Sequence, residues 1–124
     1  MEKKRILVVD DEPLLLRSIK GWLGTDFAVF LVNSGQNALS FLDMHPVDLV
    51  LLDYMMPGMD GPEVLKRIRG GTHKELPVIF LTANSDSRDE TNVMQLKPDG
   101  YILKTLSPEE IKQAVQDFFK ERAE

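Results

Sequence analysis

Three short segments are apolar at every position: Ile6-Leu7-Val8-Val9, Leu49-Val50-Leu51-Leu52 and Val78-Ile79-Phe80-Leu81. Successive side chains of a strand point to opposite faces, so a strand with one wet face alternates apolar and polar residues. A strand without alternation has to be covered on both faces. Such strands belong to parallel sheets flanked by helices. Two more apolar runs, Phe27 to Val32 and Tyr101 to Leu103, bring the number of predicted strands to five.

The segments between the runs carry helical periodicity. The first helix starts near Pro13, a good first-turn residue, buries Leu15, Leu16, Ile19, Trp22 and Leu23, and stops at Gly24. The second runs from Gly35 to Met44 with Ala38, Leu39 and Leu42 inward. The third covers 62–69 on Val64, Leu65 and Ile68. The fourth, around 87–96, is polar and has only Val93, Met94 and Leu96 to bury. The last opens on Ser107-Pro108-Glu109-Glu110, a capping box with proline at the first helical position. Leu106 and Ile111 are placed for a hydrophobic staple. Ile111, Ala114, Val115, Phe118 and Phe119 follow at helical spacing.

Strand and helix alternate from end to end, which predicts an α/β fold of the (βα)5 type: a doubly wound, five-stranded parallel sheet with right-handed crossovers. The common order for such a sheet is 2-1-3-4-5. No repeat, low-complexity stretch or linker divides the 124 residues, so 1–124 reads as a single domain. There is no cysteine, which excludes disulfides, thiolate metal sites and cysteine nucleophiles. His45 and His73 are far apart in sequence, which argues against a histidine-rich metal site. No apolar run is long enough to cross a membrane, and Met1-Glu2-Lys3-Lys4-Arg5 leads into too short a run for a signal peptide. A cytoplasmic protein is expected. The net charge of -5 argues against direct nucleic-acid binding by the domain.

In an open α/β sheet, ligands bind beyond the carboxyl ends of the strands. Asp10, Asp11 and Glu12 follow the first strand, Asp53 ends the third, Thr82 and Ala83 end the fourth and Lys104 ends the fifth. In the expected order these strands are neighbours, so three aspartates, a hydroxyl and an ammonium converge. Two charges about 5 Å apart repel by roughly 3 kcal/mol at an effective dielectric near 20. Three carboxylates in one pocket must therefore bind protons or a cation. Oxygen ligands without His or Cys suit Mg²⁺, which shares its shell with waters and phosphate. The set fits phosphoryl transfer, with a carboxylate as nucleophile and a lysine opposing phosphoryl charge. Taken singly, each residue has an ordinary reading. Acids ahead of Pro13 suit a helix N-terminus, and Asp53 could cap a turn near Pro57-Gly58 and Asp60-Gly61. Thr82 alone is a strand-end residue and Lys104 a solvated lysine. Their joint placement at four strand ends makes the functional reading.

The segments Ile6-Leu7-Val8-Val9-Asp10-Asp11-Glu12-Pro13, Asp53-Tyr54-Met55-Met56-Pro57-Gly58-Met59-Asp60-Gly61, Val78-Ile79-Phe80-Leu81-Thr82-Ala83 and Tyr101-Ile102-Leu103-Lys104 occur in order. Together they resemble the receiver domain of two-component response regulators, over essentially the whole chain. The resemblance implies a flavodoxin-like fold and a signalling switch, not an enzyme acting on a separate metabolite. It implies that Asp53 accepts a phosphoryl group from a sensor histidine kinase or phosphotransfer protein. Mg²⁺ would be held by Asp10, Asp11, Asp53 and the backbone carbonyl of Met55. Thr82 and Lys104 would address phosphoryl oxygens, and Thr82 and Tyr101 would form the switch on the face of helix four, strand five and helix five. Met55 and Asn84 would flank the site at positions that tune phosphoryl lifetime. An output domain or downstream protein, and a homodimer formed on phosphorylation, are implied as partners.

Two departures from the family pattern stand out. Lys104 is followed by Thr105 where the family usually has proline after a cis bond, so either the loop is trans with Lys104 aimed differently or a strained cis bond is kept. Leu96-Lys97-Pro98-Asp99-Gly100 replaces smaller residues, and Pro98 should end the fourth helix sharply. Lys66, Arg67, Arg69, His73 and Lys74 read as a solvated helix face and loop. Two alternatives compete: a degenerate receiver that is only an interaction module, and a flavin binder or aspartate-nucleophile phosphatase of similar topology. No Gly-rich loop follows the first strand, and Asp10 and Asp11 are adjacent where such a phosphatase has Asp-x-Asp.

Overall fold

The computed structural model describes residues 2–83 and 91–122. Five parallel strands form one sheet in the order β2-β1-β3-β4-β5. They are β1 (Arg5–Val9), β2 (Ala28–Val32), β3 (Leu49–Asp53), β4 (Val78–Thr82) and β5 (Gly100–Leu103). The helices are α1 (Pro13–Leu23), α2 (Gly35–Met44), α3 (Gly61–Gly70), α4 (Thr91–Met94) and α5 (Pro108–Arg122).

The uninterrupted apolar runs behave as a two-sided burial requires. Every residue of β3 and β4 is buried, and so is β1 from Ile6 on. Ile6, Val8, Leu49 and Leu51 pack with Leu16, Ile19 and Leu23 of α1 and Ile111 and Val115 of α5. Leu7, Val9, Val50 and Leu52 face the other way, against Ala38 and Leu42 of α2, Val64, Leu65 and Ile68 of α3, and Val93 of α4. Each fully buried aliphatic side chain contributes about 1.5–3 kcal/mol, so the sheet interior holds the fold together.

Local signals fix most helix ends. The Ser34 side chain caps α2 by accepting from the Asn37 N–H at 3.1 Å. The capping box of α5 is reciprocal: Ser107 N–H donates to Glu110 Oε1 at 2.9 Å, and Glu110 N–H donates to Ser107 Oγ at 3.1 Å. Leu106 packs on the same core as Ile111, as a staple requires.

Several expectations change. Phe27 precedes β2; its N–H donates to Leu23 O and its ring packs 5.6 Å from that of Phe119. Leu15 and Trp22 only flank the core, and Leu39 is half-buried. The expected stop at Gly24 holds: it caps α1 in the right-handed region (φ -68°), where a Cβ would lie 2.6 Å from the Lys20 carbonyl oxygen. Of the fourth helix, only Thr91–Met94 falls among the described residues; Val93 is buried and Met94 is exposed. Its last residue lies four positions before Pro98, which itself keeps only Lys97 out of the right-handed helical region. Lys97 takes a left-handed φ of 55°, and Leu96 and Lys97 make tight-turn bonds back to Val93 O and Met94 O. Asn84 lies outside the described residues.

Candidate functional site at the carboxyl edge of the sheet

Parallel register brings the strand ends to one edge. Asp53 closes β3 opposite Leu81, and Thr82 closes β4 opposite Leu103. Asp10 follows β1, its N–H donating to Val32 O at 3.2 Å, and Lys104 follows β5, its N–H donating to Thr82 O at 2.8 Å. Asp10, Asp53 and Thr82 are the buried polar residues among those described. Asp11 is exposed, yet Asp10, Asp11 and Asp53 each offer a carboxylate oxygen within 4.8 Å of the others.

Lys104 Nζ lies between the two buried acids, 2.9 Å from Asp53 Oδ1 and 3.0 Å from Asp10 Oδ2. There is no cis peptide bond among the described residues, so the Lys104–Thr105 bond is trans. Of the two alternatives for this loop the trans one holds, and in it Lys104 reaches both buried acids.

Burial pushes the Asp53 carboxyl up to about 6, with the neighbouring Asp10 charge adding to the rise. Hydrogen bonds from Lys104 and from the Met55 N–H, at 3.3 Å to Asp53 Oδ1, oppose it. Lys104 feels the reverse balance. Burial pulls it down, but Asp53 and Asp10 together raise it to about 12, so it remains charged. Asp53 Oδ2 is buried with no hydrogen-bond partner among the described residues. An acceptor of this kind, beside two more carboxylates, fits a hard, oxygen-binding divalent cation.

Three more residues shape this edge in ways the sequence did not indicate. Glu12 stands at the N-cap of α1 but makes no capping bond; its Oε1 lies 3.4 Å from Lys104 Nζ, and its N–H donates to Asp10 Oδ1 at 2.9 Å. Gly61 was read as part of a turn dipeptide, yet it is the first residue of α3 and is capped by Asp60, which accepts from Glu63 N–H at 2.9 Å. A Cβ on Gly61 would lie 2.4 Å from Asp53 O and 2.9 Å from Tyr54 Cα, so only glycine lets α3 pack against this strand end. The signal was present: glycine just before Pro62 and just after a capping aspartate. The third is Phe80. Its ring lies between Tyr54, at 5.0 Å and edge-on, and Tyr101, at 5.7 Å and stacked, linking the residue after Asp53 to half-buried Tyr101. Met55 is exposed beside the site.

The fold and site define an α/β protein with an acidic pocket at the carboxyl edge of a 2-1-3-4-5 sheet and one lysine shared by two aspartates. The family model of the response regulator receiver domain matches residues 6–116, and the chain belongs to that family, the receivers of two-component signal transduction. It is 35% identical over 121 residues to the probable transcriptional regulator ycf27 of Porphyridium aerugineum, spanning 97% of this chain and 50% of that protein. It is 40% identical over 103 residues to a probable cyclic di-GMP phosphodiesterase of Vibrio cholerae, spanning 82% of this chain and 23% of that protein. The chain thus spans half or less of the length of these relatives. Among solved structures, it superposes on the response regulator TrrA of Thermotoga maritima in complex with Mg²⁺-BeF with a TM-score of 0.83 at 35% identity, covering 93% of this chain and 98% of that one. The receiver domain of the Francisella response regulator 1452 gives 0.83 at 26% identity over 96% of this chain and 98% of that one. Among the described residues, no helix is long and apolar enough to cross a membrane.

Proposed function

We propose that this chain is a phosphorylatable receiver in which Asp53 takes a phosphoryl group from the phosphohistidine of a sensor histidine kinase or phosphotransfer protein. The observation that carries the reading is Lys104 held within 3.0 Å of both buried aspartates, with Asp11 completing a three-carboxylate cluster. A carboxylate oxygen of Asp53 attacks phosphorus; a P–O bond forms, the P–N bond breaks and the imidazole leaves. Asp53 must be ionised to attack, and with its carboxyl near 6 it is mostly so at neutral pH. Asp10, Asp11, Asp53 and the Met55 carbonyl are the groups that would hold Mg²⁺. Bound there, the cation offsets the charge of the phosphoryl oxygens.

The phosphoryl group adds about 1.5 to 2 negative charges and new acceptor oxygens. Lys104 is already charged and within reach of one of them, and the Thr82 hydroxyl addresses another. A shift of Thr82 frees space for Tyr101, whose ring rests on Phe80, and the change is read on the face of α4, β5 and α5. On this reading the chain transforms no separate metabolite. Its partners are the kinase, an output domain or downstream protein, and a second copy on phosphorylation, and its location is the cytoplasm. The interaction-module alternative rests on Thr105 alone, and the position of Lys104 speaks against it.

Intact-mass measurement with acetyl phosphate tests the proposal. One phosphoryl group should add to the wild-type chain only with Mg²⁺, and none to Asp53→Asn. Full uptake by Asp53→Asn would show that another residue is the acceptor. A folded wild type that takes up none would favour the interaction module.

A further inference from the structure

β5 is the shorter of the two edge strands of the sheet. It is an edge of four residues, of which only Ile102 is fully buried. Yet it delivers Lys104 to the two aspartates and sets Tyr101 on Phe80. A slip of one residue would move Lys104 by about 3.3 Å and turn every β5 side chain to the other face.

The register is held at the opposite end of the sheet. Asp99 grips Val78 twice: its N–H donates to Val78 O at 2.7 Å, and its Oδ1 accepts the Val78 N–H at 2.8 Å. The Asp99 carboxylate is itself held by Arg69 Nη2 at 3.2 Å. The same guanidinium, from the last turn of α3, donates to Leu76 O at 2.7 Å, Leu96 O at 2.9 Å and Lys97 O at 3.0 Å. One planar fork thus joins α3, the loop before β4 and the loop before β5, a geometry that an ammonium cannot reproduce. Arg69 is only 16% exposed, so its reading as part of a solvated basic face is corrected.

We propose that Arg69 and Asp99 are positioning residues that lock β5 in register from the amino end of the sheet and so hold Lys104 on Asp10 and Asp53 at the other. The inference rests on the role of Lys104 proposed above. A clamp that served stability alone would lower the melting temperature and leave the chemistry of the folded protein unchanged.

The test uses the full chain with Arg69→Gln, and with Asp99→Asn, which keeps an oxygen for the Val78 N–H. Hydrogen exchange is followed at the amides of residues 100–104, phosphoryl uptake from acetyl phosphate by intact mass, and Mg²⁺ affinity by calorimetry. In Arg69→Gln, loss of a charge-assisted clamp should speed exchange at 100–104 by about tenfold or more and leave β1 and β3 protected. Uptake at saturating Mg²⁺ should slow by about tenfold while Mg²⁺ affinity rises, because the carboxylates stay on strands the clamp does not touch but lose an ammonium that competes with the cation for their oxygens. Asp99→Asn should shift the same readouts less, and it carries the test if Arg69→Gln does not fold. Unchanged exchange at 100–104 in a folded variant overturns the register lock. Faster exchange with an unchanged uptake rate overturns the positioning role. If the wild type takes up no phosphoryl group, the assignment of Asp53 fails, and exchange at the Lys104 amide, bonded to Thr82 O, decides the register lock by itself.

Discussion

Asp53 is held where a carboxylate is costly. Its carboxyl sits near 6 in the folded protein against an ordinary 3.8, chiefly because it is buried. Below about pH 4 the group is protonated in both the folded and unfolded states and costs nothing. As pH rises, the unfolded chain ionises first, and the folded protein is then forced to ionise a buried acid as pH passes 6. Stability is therefore lost as pH rises through this window. For the metal-free protein we expect a loss on the order of 2–3 kcal/mol between pH 4 and pH 7 from this group. Urea unfolding across that range measures it, and Asp53→Asn should remove most of the slope; an equal slope in both proteins would exclude Asp53 as its source. Lys97 carries a second local cost, as a side chain at φ 55°. Lys97→Gly should raise stability by about 1 kcal/mol, seen as a higher urea midpoint at constant slope. These residue-level features were only partly readable in the sequence. The acids could be placed at strand ends from the pattern of runs, but Lys97 could not be given a left-handed backbone. Glu12 could not be paired with Lys104 either, since their contact spans 92 positions of chain.

At the scale of elements, α3 links the site to the rest of the fold at both its ends. Its first residue, Gly61, lets the helix close on the backbone that carries Asp53, and its last turn supplies Arg69. Gly61→Ala should push helix and strand apart and cost about 1–3 kcal/mol, read from chemical unfolding. The exposed Gly70, where a Cβ would meet nothing within 4 Å, is the control, and Gly70→Ala should be close to neutral. Helices whose ends are set by local chemistry were read well. α2 runs from Gly35 to Met44 as its periodicity and Ser34 predict, and α5 begins at its capping box. Elements whose limits depend on distant partners were read less well. Asp60 and Gly61 looked like a turn because the strand that demands a glycine there is not visible locally. Met94 looked like a core residue because the fourth helix offers few others, but the structure leaves it exposed.

For the whole molecule, the burial of β1, β3 and β4 on both faces followed from their unbroken runs, whereas the strand order was only the common one for such a sheet and the runs do not fix it. The edge strand was the limit of that logic. β5 is short and half-buried, so its register depends on the Asp99–Val78 grip instead of apolar patterning. The acidic cluster couples the fold to its ligand. Mg²⁺ should stabilise the protein through mass action, by about 2.7 kcal/mol at a concentration one hundred times its dissociation constant. The rise in melting temperature with Mg²⁺ should be much reduced in Asp11→Asn; an equal rise there would place the cation elsewhere. The site also draws on residues from nearly the whole length of the chain, from Asp10 to Lys104. At synthesis rates of about 5–20 residues per second, roughly 5 to 20 seconds separate these two residues on the ribosome. A nascent chain therefore cannot bring Lys104 onto Asp10 and Asp53 until β5 has docked. On the proposed reading of Asp53, competence to receive a phosphoryl group then marks a copy whose folding is complete.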